Sequence, residues 1–458
     1  MRADARIGAD TLAFVSQPEL QSQSNDPSFE DVWEEIVWRG LVHVSTDSAE
    51  LKTLLSGPPI TYYCGFDPTA PSLHVGSLLQ FMVLRALQRA GHQPVVLVGG
   101  ATGLIGDPRP TAERQLNDPD TVAGWVDSIR RQVAPFLELP AETEGLKGPI
   151  YVDNLDWTAP LTAIDFLRDL GKHFRVSKML AKEAVSARLN SEAGISYTEF
   201  SYQILQANDF RELYRRQGVT LQTGGSDQWG NLTAGIDLVR RTEGASVHAL
   251  STPLVTKSDG TKFGKSESGT IWLDPSLTSP YAFFQFWLNA DDADARTWLP
   301  LFSERPAEDL EALIAESVER PAARTAQRAL AEELTVLVHG PEQLRQAEAA
   351  GRALFGRDDL AVLDTATLAA ALTEAGHVEI TNPNVPVAAL LQEAGLANSL
   401  SDARRTVKEG GAYVNNVRVT DADLPPTMSD WLPGGWLVLR KGKRSVAGVH
   451  CDGTGHRS

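Results

Sequence analysis

Cysteine is scarce in this chain: Cys64 and Cys451 are the only two in 458 residues. Two cysteines give no disulfide framework, so nothing points to an oxidising compartment. Long apolar runs are also missing, and none approaches the roughly 20 residues that cross a bilayer. Residues 1–30 have no continuous apolar stretch and carry Arg2, Asp4, Arg6 and Asp10, which is unlike a secretory signal. Their later part, QPELQSQSNDPS, is polar and reads as a flexible extension. Positive charge is in deficit, with 42 Lys and Arg against 59 Asp and Glu and a net charge of −17. A chain that coats nucleic acid indiscriminately is thereby disfavoured. Together these absences predict a cytoplasmic protein with no membrane partner.

What is present is ordinary globular material: 42% hydrophobic, 22% charged and 7% aromatic residues. The length exceeds one ordinary domain and supports a sizeable core. From Ser401 onward the charge reverses, with nine Lys and Arg against six acids, and such an asymmetry suggests a local polyanion-binding surface.

Between about 60 and 255, short runs rich in β-branched and aromatic residues alternate with helical patterns. ITYYCGF (60–66), PVVLVGG (94–100), VTLQTGG (219–225) and HALSTPLV (248–255) read as strands, and SLLQFMVLRALQRAG (77–91) as a helix. The alternation predicts an α/β domain with a parallel sheet, helices on both faces and ligands beyond the carboxyl ends of the strands. From about 280 to 376 the pattern is helical, and HVEITNPNVPV (377–387) looks like a linker. A helix, turn, helix, hairpin pattern follows. No internal repeat is found.

Five stretches could carry chemistry. In GFDPTAPSLHVGS, a strand end, a loop with proline and a helix start at Gly76 would present N–H groups to a phosphate beside His74. KSDGTKFGKSESG places Lys262 and Lys265 around Gly264 in a loop-like segment, suited to bringing two ammonium groups to a polyphosphate. Tyr202, Gln206 and Asp209 fall at i, i+4 and i+7, hence on one helix face. TGGSDQWGN offers Gly224 and Gly225 for close backbone approach, with Asp227 and Gln228 beside them. GGATGLIGDP brings Asp107 to a strand-to-loop exit. Each alone could be a turn or a solvated face.

In this order, YCGFDPTAPSLHVG, GGATGLIGDP, SYTEFSYQILQANDF, TGGSDQWGN and DGTKFGKSESGTIWLD resemble the bacterial tyrosyl-tRNA synthetase family. HVGS and KFGKS stand at the two signature positions of class I aminoacyl-tRNA synthetases. The tail SLSDARRTVKEGGAYVNN resembles a small RNA-binding fold shared with a ribosomal protein. The likeness runs from about residue 31 to the end.

The resemblance implies a flexible extension (1–30), a Rossmann-like catalytic domain (31–255) and a mobile KFGKS loop region (256–278). A helical domain on the anticodon side (279–376), a linker (377–385) and a small α+β RNA-binding domain (386–458) would follow. It implies ATP and L-tyrosine as substrates with Mg2+ accompanying the phosphates, no metal site in the protein, tRNA(Tyr) as partner, and a homodimer. Thr69 and His74 would contact phosphates, and Lys262 and Lys265 the leaving pyrophosphate. Gly65, Asp67, Gly76, Ser77, Gly225 and Asp227 would hold ATP, together with His74 and Lys265. Asp107, Tyr202 and Gln206 would take the tyrosine ammonium, Gln228 its carboxylate, and Tyr63 and Asp209 its phenol. Arg404, Arg405 and Lys408, with the Lys441–Arg444 cluster, would bind tRNA. Arg114 matches a family arginine in a flexible loop, and Arg109 would substitute for a nearby lysine, in a stretch that is short and basic-poor beside some members. Ser77 departs from the pattern, since the family has a second histidine there. A hydroxyl can still donate one hydrogen bond worth about 1 kcal/mol, so activation should persist.

Overall fold

The computed structural model describes residues 25–108, 116–138, 146–191, 194–258, 263–266 and 269–452. These fall into two compact units. Residues within Gln21–Thr278 and Phe286–Leu334 form one, and residues within Ser279–Gln285 and Thr335–Ser458 the other.

The first unit is built on six strands: β1 (Val44–Ser45), β2 (Thr61–Phe66), β3 (Gln93–Val98), β4 (Ile150–Asp153), β5 (Val219–Gly225) and β6 (His248–Thr252). Their order is β1-β6-β5-β2-β3-β4, with every neighbouring pair parallel except the edge pair β1–β6. The predicted strands therefore formed where their composition placed them. They read as near-continuous apolar runs because helices cover both faces. The helix Leu78–Arg89 has ten of its twelve residues buried, so it belongs to the core rather than the surface. Its polar exceptions are tied down: Arg85 Nε and Nη2 donate to the Glu304 carboxylate at 2.8 and 2.6 Å, and Arg89 joins them. Burial alone would raise the Glu304 carboxyl, but these two guanidiniums hold it down to about 2.

From β2 the chain winds through β3 to β4 on one side, then crosses to β5 and β6 on the other. The crevice between β2 and β5 is thus the point where strand order reverses, and their carboxyl ends open into it. Among the described residues no helix is long and apolar enough to cross a membrane.

The helical stretch after residue 279 comprises Pro280–Leu288, Asp292–Phe302, Ala307–Glu319, Thr325–His339, Pro341–Ala353 and Thr365–Ala375. A short hairpin, β7 (Lys265–Ser266) and β8 (Gly269–Thr270), lies in the first unit. The second unit ends in a five-stranded sheet of β9 (His377–Ile380), β10 (Ala412–Val414), β11 (Val417–Arg418), β12 (Trp436–Lys441) and β13 (Ser445–Cys451), ordered β11-β10-β12-β13-β9. Asn415 and Asn416, both at positive φ (46° and 67°), turn β10 into β11. The start of the segment read as a linker is β9 instead. Its Val378 and Ile380 pack on the Leu437, Leu439 and Val449 core, and the prolines that suggested a linker begin only after the strand. The helix Thr365–Ala375 also belongs with this sheet, since Gly448 on β13 comes so close that an added Cβ would lie 2.9 Å from Leu372.

Candidate functional site

A cavity of about 1030 Å³ opens at the carboxyl ends of β2 and β5. Fifteen residues singled out from sequence line it: Tyr63, Gly65, Asp67, Thr69, His74, Gly76, Ser77, Asp107, Tyr202, Gln206, Asp209, Gly224, Gly225, Asp227 and Gln228. Lys262, the Lys265 side chain, Arg109 and Arg114 lie outside the described residues.

At the inner end Asp209, 1% exposed, projects from the helix Tyr197–Gln217. Trp157 Nε1–H donates to its Oδ1 at 2.8 Å and Asn154 Nδ2–H to its Oδ2 at 3.0 Å. Burial pushes the Asp209 carboxyl up to about 8, while these two donors pull it down. Asn154 is itself fixed, accepting from the Ala101 N–H at 2.7 Å and donating to Thr102 Oγ1 at 2.9 Å. Nearby, Tyr63 Oη and Gln206 Oε1 are buried and have no hydrogen-bond partner among the described residues. Native proteins rarely strand polar atoms this way, so both are poised for a ligand.

Further out, the Tyr202 hydroxyl donates to Asp67 Oδ2 at 2.6 Å and Thr102 Oγ1–H to Asp67 Oδ1 at 2.7 Å. Gly99 makes this possible: an added Cβ would lie 2.3 Å from the Asp67 carboxylate. Asp107 accepts from Gln228 Nε2 at 3.2 Å and Asn231 Nδ2 at 3.4 Å, and Lys182 Nζ stands 3.6 Å from it.

At the outer end His74 is exposed, and its Nδ1 accepts from the Gly76 N–H at 3.0 Å. That bond leaves the proton of neutral imidazole on Nε2, which is then a donor. The ring can fold back only over glycine, because a Cβ at Gly76 would lie 2.7 Å from His74 Cε1. Ser77 precedes the helix Leu78–Arg89, and its side chain makes no capping bond.

The two signature segments are stitched together. Val75 N–H donates to the Ile271 carbonyl at 3.1 Å, Leu273 N–H to the Leu73 carbonyl at 2.9 Å, and Ile271 N–H to the Gly264 carbonyl at 2.9 Å. Gly264 (φ 76°) comes close enough to Val75 that an added Cβ would lie 2.8 Å from its Cγ2. Phe263 sits in an aromatic cage of Phe286, Trp287, Trp298 and Phe302, with ring centroids 4.9–5.9 Å away.

Asn154, Trp157, Thr102, Lys182 and Asn231 escaped the sequence reading. Each acts through a partner far along the chain, and neither spacing nor periodicity signals such pairs. In the second unit, Arg404, Arg405 and Lys408 are all exposed on the helix Leu400–Lys408. Arg404 pairs with Asp423 at 2.8 Å, and Asp402 draws in Arg405 at 2.7 Å and Lys441 at 3.1 Å.

Residues 55–356 match the family described as tRNA synthetases class I (W and Y). Residues 367–447 match one described as the tyrosine–tRNA ligase SYY-like C-terminal domain. The chain is 60% identical over 424 residues to the tyrosine–tRNA ligase of Streptomyces avermitilis, spanning 92% of this chain and 99% of that one. To the ligase of Leifsonia xyli it is 59% identical over 434 residues, or 94% and 97% of the two chains. Among solved structures, a C-terminally truncated mitochondrial tyrosyl-tRNA synthetase of Aspergillus nidulans superposes with a TM-score of 0.63 at 28% identity, covering 72% of this chain and 95% of that one. A tryptophanyl-tRNA synthetase of Encephalitozoon cuniculi shares the fold alone, with a TM-score of 0.51 at 12% identity over 68% and 87% of the two chains. The chain belongs to the class I tyrosyl-tRNA synthetase family.

Proposed function

We propose that this chain activates L-tyrosine with ATP to give tyrosyl-adenylate and pyrophosphate, then passes the tyrosyl group to the 3′ end of tRNA(Tyr). The observation that carries the amino-acid choice is the inner end of the cavity. There the Asp209 carboxylate, held by Trp157 and Asn154, and the unpartnered Tyr63 hydroxyl suit a phenol that both donates and accepts. Asp107, Tyr202 and Gln206 supply oxygen atoms for the ammonium group, with Gln228 near the carboxylate.

Activation is attack of the tyrosine carboxylate on the α-phosphorus. No side-chain nucleophile is required, so the protein's task is to align the reactants and stabilise charge growing on the phosphates. Thr69, the His74 Nε2–H and backbone at Gly65 and Gly76 serve that end, with Lys262 and Lys265 taking the departing pyrophosphate. Asp67, Ser77, Gly225 and Asp227 hold the nucleoside. Mg2+ is assigned to ATP, accompanying its phosphates as part of that substrate.

Labour is divided as the sequence suggested, with catalysis in 31–255 and the 256–278 loop region, and an anticodon-side role for the helices. The strand β9 and the helix Thr365–Ala375 join the 386–458 region, where Arg404, Arg405 and Lys408 contact the tRNA backbone. A homodimer is supported by exposed apolar side chains at Ile164, Leu167 and Tyr197, 54–65% exposed. The cytoplasm is its place of action.

Amino-acid-dependent ATP–pyrophosphate exchange across all twenty amino acids tests the proposal. Exchange should require tyrosine. Exchange driven by tryptophan, or by none of them, would overturn it.

A further inference from the structure

Four aspartates, Asp67, Asp107, Asp209 and Asp227, line the cavity, and among its described lining residues there is no lysine or arginine. A zwitterionic amino acid entering such a site gains at its ammonium and loses at its carboxylate. Behind the wall, however, stands one cation. Lys182 Nζ donates to Asn231 Oδ1 at 2.5 Å and lies 3.6 Å from Asp107 Oδ1, with its side chain 17% exposed. Its stem lies over Gly230, where an added Cβ would come within 3.3 Å of Lys182 Cε.

The ammonium also sets the direction of a hydrogen-bond chain. A lysine can only donate, so Asn231 must turn its carbonyl to Lys182 and its amide NH2 inward. Asn231 Nδ2 then donates to Gln228 Oε1 at 2.8 Å, which leaves Gln228 Nε2 to donate to Asp107 Oδ2 at 3.2 Å. Gln228, the cavity-facing amide of this chain, takes its orientation from a charge outside the cavity.

We propose that Lys182 is a positioning residue for amino-acid recognition: through Asn231 it orients Gln228, and its charge offsets the aspartates where the α-carboxylate binds. This rests on the tyrosine-activation reading above. Lys182 touches no substrate in this assignment, so its effect should fall on amino-acid affinity rather than on the chemical step.

The test uses the full-length chain, with L-tyrosine as substrate and tyramine, which lacks the carboxylate, as competitive inhibitor. Lys182→Met should raise the tyrosine KM in pyrophosphate exchange roughly tenfold, the loss of one charge-assisted contact, with kcat and the ATP KM little changed. Tyramine should bind the variant as well as, or better than, it binds the parent, since Asp107 loses a competing cation. Lys182→Arg should restore tyrosine affinity. Lys182→Gln keeps a donor for Asn231 without the charge; it takes the place of Lys182→Met should that variant fail to fold, and should likewise raise the tyrosine KM. An unchanged tyrosine KM in Lys182→Gln, or equal weakening of tyrosine and tyramine, would overturn the proposal. A parent chain without tyrosine-dependent exchange would instead defeat the functional reading on which it rests.

Discussion

The two ends of the cavity are built on opposite principles. At the inner end Asp209, Asn154 and Trp157 are buried, come from a helix or follow a strand directly, and fix one another by hydrogen bonds. At the outer end His74 is exposed, Ser77 makes no capping bond, and the neighbouring backbone comes from turns and a two-residue-per-strand hairpin. Desolvated groups discriminate strongly because an ill-matched ligand leaves them unpaired. Exposed donors discriminate little, yet they can follow charge that appears only as the reaction proceeds. Choice of amino acid is therefore assigned to the inner end and rate to the outer.

Breaking this contrast begins with His74→Ala. Removing a donor to the reacting phosphates should lower kcat for exchange by about 100-fold or more while leaving the tyrosine KM nearly unchanged. A rise in KM with normal kcat would mean that the outer end binds rather than accelerates. At the inner end, Asp209→Ala should lower the preference for tyrosine over phenylalanine by about 100-fold, measured as the ratio of their kcat/KM values. An unchanged ratio would remove Asp209 from the phenol site. Trp157→Phe keeps an aromatic ring but deletes one donor to Asp209, and a rise of about fivefold in tyrosine KM is expected, with kcat preserved. The smallest effect should be that of Ser77→Ala, less than about fivefold in kcat, because only a neutral hydrogen bond is at stake. If it matched His74→Ala, the ranking within the outer end would be wrong.

Legibility in the sequence followed the same divide between local and distant. Strands β2, β3, β5 and β6 were visible because each is a short apolar run closed by a turn signal, and the Tyr202–Gln206–Asp209 stripe because helical spacing is a local property. Asn154 was invisible because its meaning depends on Asp209, 55 positions away, and on Ala101, 53 away. Strand β1 is only two residues long, too short for any periodicity to show. His377–Ile380 was passed over for a subtler reason. Its alternating Val378 and Ile380 signal an edge strand, but the prolines just after it dominated the composition of the window.

Asp209 also makes the protein a proton carrier. With its carboxyl near 8, against an unfolded value of about 3.8, the folded protein keeps a proton there, between those pH values, that the unfolded chain has lost. The associated stabilisation is complete below about pH 4 and is given up as pH climbs through 8. A phenol donating to the ionised carboxylate favours loss of that proton, so tyrosine should expel a fraction of a proton as it enters below pH 8 and bind more tightly as the solution becomes more alkaline. In a calorimeter its heat of binding would then vary with the ionisation enthalpy of the buffer, and one buried acid would tie amino-acid loading to the acidity of the surrounding solution.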